Sequence, residues 1–128
     1  MPNKNMYETS GTLYFVPTMK GERGLIGLDF QDYEELLTFD FKDEEVVLTI
    51  KKAEYGPEYS QQVPEYRARA GLYTINMEEM PKFQLDLNLK DVEELQKRGF
   101  RDLEKVTLLI EKLPYRVPRK PFNDQLDF

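Results

Sequence analysis

Between positions 55 and 73 the chain mixes aromatic rings with guanidiniums: Tyr55, Tyr59, Tyr66, Arg67, Arg69 and Tyr73. A second mixture follows near the C-terminus, with Lys112, Tyr115, Arg116, Arg119 and Lys120. Lys51, Lys52, Lys97, Arg98 and Arg101 add cations before and between them. Rings can stack on unpaired bases while cations follow the phosphates, so the chemistry this pattern suits is binding of single-stranded nucleic acid. Glu54, Glu58 and Glu65 interrupt the first set. The competing expectation is therefore a solvated loop whose rings cover the ends of the fold.

The last residues, Pro121 to Phe128, combine Phe122, Asp124 and Asp127 with a terminal Phe128. This tail resembles the acidic, Phe-terminated tails of bacterial and phage single-stranded DNA-binding proteins. The resemblance implies docking of a partner protein, with the terminal ring in a pocket and the carboxylates against basic residues. A packed or frayed terminus is the plainer expectation.

A third set is acidic: Asp29, Asp40, Asp43, Glu44 and Glu45. Paired carboxylates can hold Mg²⁺ or Ca²⁺. Capping and turn roles account for such acids better, because the aligned acids recur in both copies, so no metal site is predicted. The chain has no Cys and no His. That excludes disulfides, thiolate zinc sites, cysteine nucleophiles and a Ser-His-Asp triad, and it removes the usual general base. Gly21-Glu-Arg-Gly24 is too short for a phosphate-binding Walker loop. No catalytic residue or cofactor is predicted, and a non-enzymatic protein is expected.

The formal net charge is −6, unevenly spread. Residues 1–94 carry 19 acids against 10 bases, whereas residues 95–121 carry 8 bases against 3 acids. A locally basic region suits an anionic partner, although the field of the whole molecule opposes one at long range. No run of about 18 apolar residues is present, and the polar N-terminus has no apolar signal region, so a cytoplasmic protein is expected.

These residues must be positioned by a scaffold, and the scaffold is internally repetitive. Sliding residues 13–45 onto 72–104 gives ten identities in 33 positions, among them Leu13/Leu72, Tyr14/Tyr73, Asp32/Asp91, Leu36/Leu95, Phe41/Phe100 and Asp43/Asp102. One inserted residue then aligns Val46, Leu48, Ile50 and Lys52 with Val106, Leu108, Ile110 and Lys112. Each copy reads as strand, strand, helix, strand. The first strands are predicted at Thr12–Val16 and Leu72–Met77. The second alternate with period two: Phe83, Leu85, Leu87 and Leu89 in one copy, Ile26, Leu28 and Phe30 in the other. Asp32-x-x-Glu35 and Asp91-x-x-Glu94 read as helix starts, and Asp40 and Gly99 as helix stops. The third strands are predicted at Val46–Lys52 and Val106–Lys112. One domain over 1–128 is expected, with repeats near 11–55 and 71–115, a linker over 56–70, and an extended tail over 116–128.

The segment LKDVEELQKRGFRDLEKVTLLI, from Leu89 to Ile110, resembles the helix–Gly–apolar–x–Asp–strand segment of the cradle-loop β-barrels. That group includes AbrB-type swapped-hairpin and double-psi β-barrel domains. The resemblance implies a mainly β fold with two short helices, in which the duplicated ββαβ unit closes a pseudo-twofold six-stranded β-barrel. AbrB-type proteins bind duplex DNA through basic hairpin connectors and the short helix. Here the connectors carry Lys20 and Arg23 in one copy and only Lys82 in the other, beside Glu22, Glu78 and Glu79. The expected function is therefore a nucleic-acid accessory protein that binds single strands, of phage or mobile-element type. The alternative is a protein-interaction module, either an adaptor or an acidic mimic of nucleic acid.

Overall fold

The computed structural model describes residues 5–53, 64–77 and 80–118. Its elements run β1 (Met6–Thr18), β2 (Gly21–Gly27), α1 (Phe30–Thr38), β3 (Glu44–Lys52), β4 (Glu65–Met77), β5 (Met80–Leu87), α2 (Leu89–Lys97) and β6 (Glu104–Lys112). The strands close a barrel in the order β1-β2-β5-β4-β3-β6, with antiparallel neighbours throughout. Closure removes the unpaired edges that an open sheet presents. No helix among the described residues is long and apolar enough to cross a membrane.

Strand, strand, helix, strand occurs twice in this order, and exchanging β1, β2 and β3 for β4, β5 and β6 reproduces the same cycle. The halves interdigitate. β3 pairs only with β4 and β6, and β6 only with β1 and β3, so each third strand lies wholly within the opposite half. Val46, Leu48, Ile50, Val106, Leu108 and Ile110 alternate inward on these strands and join Leu13, Ile26, Phe41, Leu72, Phe83 and Leu85 in one apolar cluster. Each such side chain, fully buried, stabilises by about 1.5–3 kcal/mol relative to exposure.

The first strands are longer than the sequence predicts. β1 begins at Met6 rather than Thr12, and β4 at Glu65 rather than Leu72. Residues 65–70, expected in the linker, are strand. In both cases the early residues pair with the third strand of the other half: Met6–Leu13 with β6, and Glu65–Leu72 with β3. Small residues there, such as Gly11, Ala68 and Ala70, weaken the apolar signal that period-two reading relies on.

The helix starts also move. Asp29 and Asn88 are the N-caps, and each accepts from the N–H three residues on (Asp32 and Asp91). Those two carboxylates reach back to the cap N–H at 3.3 and 3.2 Å. The capping boxes therefore lie three residues earlier than predicted, with Asp rather than Glu at the third position. Phe30 and Leu89 open the helices instead of ending the strands. The predicted stops are observed: Asp40 and Gly99 both take the left-handed conformation, with φ of 63° and 88°.

Candidate nucleic-acid interface

The basic and aromatic residues singled out by sequence do not form one groove. Lys51, Arg67 and Arg69 lie on the outer face of β3 and β4, each against an acid: Lys51–Glu65 at 3.6 Å, Arg67–Glu111 at 3.6 Å and Arg69–Glu45 at 2.7 Å. Lys51 and Glu65 are directly opposite in the β3–β4 register, Arg69 and Glu45 are diagonal neighbours on the same two strands, and Arg67 reaches across β3 to Glu111 on β6. Lys97 and Arg98, at the end of α2, both approach Glu94. Arg98 also donates to the Glu65 carbonyl and stands 5.2 Å from the centre of the Tyr66 ring. Arg101 follows α2, and its backbone N–H donates to Glu104.

Two of the cations close helix ends. Lys52 Nζ donates to the Gly99 carbonyl at 2.6 Å and sits over Phe100. Its counterpart Lys112 donates to the Phe39 carbonyl at 2.5 Å and sits over Phe41. A cation there satisfies a terminal carbonyl and suits the helix dipole. Arg116 binds Glu44 at 3.2 Å and the Asp40 carbonyl at 2.8 Å, beside the end of α1. The Glu44 carboxylate holds its guanidinium above the usual arginine range, with Asp40 a lesser cause. Tyr115 is exposed. Tyr55, Tyr59, Arg119, Lys120, Phe122, Asp124, Asp127 and Phe128 lie outside the described residues.

Tyr66 is committed inward. Its hydroxyl donates to Asp91 at 2.6 Å, and burial raises its pKa, with Asp91 adding to the rise. Tyr7 is its counterpart, 59 residues earlier. Its hydroxyl donates to Asp32 at 2.7 Å and lies 3.1 Å from Glu35, and burial followed by Asp32 raises its pKa. The acidic cluster is likewise occupied: Asp29 caps α1, Asp43 accepts from Thr74, Glu44 accepts from the Lys42 N–H, and Glu45 pairs with Arg69.

A different set converges. The tight turn between β1 and β2 packs beside the start of α2, and Thr18, Lys20, Arg23, Asn88, Leu89 and Lys90 line a cleft of about 310 Å³. The turn is held by the Thr18 hydroxyl, which donates to the Gly21 carbonyl at 2.6 Å and accepts from the Lys20 N–H at 3.2 Å. Gly21 has φ of 133°, and a Cβ there would stand 3.4 Å from Leu89, so glycine permits both the turn and the close approach of α2. Arg23 is oriented by buried Asp86 at 3.8 Å, and Asp86 also accepts from the Gly71 N–H at 3.1 Å. Lys20 and Arg23 were legible as connector cations. Lys90 was not, because 67 residues separate it from Arg23 and only the barrel brings them together.

A larger depression of about 430 Å³ lies over β1, β6 and β3. It is lined by Thr9, Thr49, Thr107 and Leu109, with Glu8 and Glu65 offsetting Lys51. Its charges favour no anion. The cleft at Lys20, Arg23 and Lys90 has three cations and no carboxylate among its described lining residues. Comparison with known proteins gives no matching family model, no matching curated protein and no matching solved structure. The site is therefore read from its own chemistry.

Proposed function

We propose that this chain is a non-enzymatic nucleic-acid-binding accessory protein of the cradle-loop β-barrel kind, and that the cleft formed by Lys20, Arg23 and Lys90 holds its phosphates. The convergence of these three cations from the β1–β2 turn and the start of α2 carries the reading. Phosphate neutralisation supplies most sequence-independent affinity for nucleic acid. The reading extends to an accessory protein of phage or mobile-element type, with the Phe128 tail as the candidate contact for a protein partner.

Fluorescence anisotropy of labelled oligo-dT tests the reading. Binding is expected at low ionic strength and should weaken as salt rises. Three phosphates neutralised on a single strand give a log–log slope of about −2. Lys20→Glu with Lys90→Glu should abolish binding, whereas Arg67→Ala with Arg69→Ala should leave most of it. No binding by the wild-type protein at low salt would falsify the proposal.

A further inference from the structure

The pseudo-twofold arrangement offers an internal comparison for this cleft. Its counterpart in the other half would involve Glu79, Lys82 and Gln31 in place of Lys20, Arg23 and Lys90. Of the two sets of matched positions, the first therefore carries three cations and the second one. The two halves differ in a second, independent respect. Tyr14 on β1 and Tyr73 on β4 are equivalent positions, yet Tyr14 is 40% exposed and Tyr73 is 3% exposed. The Tyr73 hydroxyl accepts from Gln84 at 2.6 Å, and the residue equivalent to Gln84 in the first half is Leu25, which has no amide to offer.

The register places the open ring beside the cations. Tyr14 lies opposite Leu25 and Val16 opposite Arg23, so all four share the outer face of the β1–β2 hairpin. Tyr14 and Arg23 are diagonal neighbours on that face, about 7–8 Å apart at the backbone. Thr18, a wall of the cleft, continues the same outward row of β1. An exposed ring on a rigid paired strand, one diagonal step from a cationic cleft, can take a base while the cleft takes phosphates. Leu25 and exposed Val16 flank the ring with apolar surface against which a base edge can lie.

Resting on the function proposed above, we infer that Tyr14 is a base-stacking residue and that the ligand is a single strand rather than a duplex. In a duplex the base faces are already stacked on one another, and the ring would have no partner. The phosphate cleft supplies the charge complementarity, and the broken equivalence with Tyr73 locates the stacking surface on this half alone.

The chain contains no Trp, so Tyr14→Trp introduces a single reporter. Titration with oligo-dT should quench this indole and shield it from iodide. Tyr115→Trp, also exposed, serves as the control and should respond weakly. Tyr14→Ala should weaken oligo-dT binding roughly 5- to 150-fold with an unchanged salt slope, and Tyr14→Phe should retain affinity. A hairpin duplex of equal length should compete poorly. If wild-type protein binds oligo-dT, Lys20→Glu with Lys90→Glu abolishes that binding, and Tyr14→Trp shows no quenching, the stacking role is overturned while the phosphate cleft stands. Equal quenching by the duplex overturns the single-strand preference. Failure of wild-type protein to bind overturns the function itself. If Tyr14→Ala does not fold, as judged by its thermal transition, the Tyr14→Trp titration decides alone.

Discussion

The Asp102 carboxylate accepts a hydrogen bond from the Phe15 backbone N–H at 2.8 Å, joining the turn before β6 to the middle of β1. Asp43 repeats the contact from the other half, accepting from the Thr74 N–H at 3.0 Å and the Thr74 hydroxyl at 2.8 Å. Each half is thus latched onto the other by an aspartate at the same place. Both contacts satisfy a backbone donor that has no ladder partner there.

Removing either latch leaves a strand N–H without its acceptor. Asp43→Ala and Asp102→Ala should each destabilise by about 1–3 kcal/mol in urea unfolding. Asp43→Ala should cost more, because it loses two donors and is less exposed than Asp102. Equal midpoints for both variants and wild type would show that the latches are dispensable.

The two Tyr hydroxyls that tie strands to helices make stability fall at high pH. Tyr7 and Tyr66 both have folded pKa values above the ordinary tyrosine value of 10.0. The folded state therefore holds protons that the unfolded state releases, and the slope of stability against pH is negative above about pH 10. The contribution is complete below that pH and fades as pH climbs towards the folded values. Absorbance at 295 nm should show two tyrosines that ionise only as the protein unfolds. Tyr7→Phe and Tyr66→Phe should each remove one of them and flatten the alkaline slope.

Leu103 directly precedes β6, which begins 60 residues after β3. It has φ of 66° and is 64% exposed, at the point where β6 begins one position later than β3 would imply. A non-glycine residue in that conformation costs roughly 1 kcal/mol. Leu103→Gly should relieve this and leave stability unchanged or raised by up to about 1 kcal/mol, despite glycine's greater chain entropy. A clear fall in the melting temperature would mean that the leucine side chain makes contacts worth more than the strain.

Lys52 and Lys112 are predicted to act as helix-end closures rather than as ligand contacts. Lys52→Met keeps most of the aliphatic stem but loses the bond to the Gly99 carbonyl and the contact with Glu104. It should lower stability by about 1–2 kcal/mol while leaving oligo-dT affinity within about twofold. A large affinity loss without a stability loss would return Lys52 to the binding surface.

The sequence determined the pattern that each half must satisfy: inward Val46, Leu48 and Ile50 matched by Val106, Leu108 and Ile110, and helix stops matched at Asp40 and Gly99. These follow from period and local backbone chemistry, which act over a few residues. It could not determine how far β1 and β4 extend, because Gly11, Ala68 and Ala70 are held as strand by partners in the opposite half. Nor could it sort cations by availability. Arg67, Arg69 and Arg116 look like binding residues along the chain, and only the fold sets Glu111, Glu45 and Glu44 beside them. The cleft has the same origin. Lys20 and Arg23 sit in a turn of ordinary appearance until closure of the barrel brings Lys90 and the start of α2 against it. Charge in a protein acts across space, and the neighbours of a charge are fixed by tertiary structure.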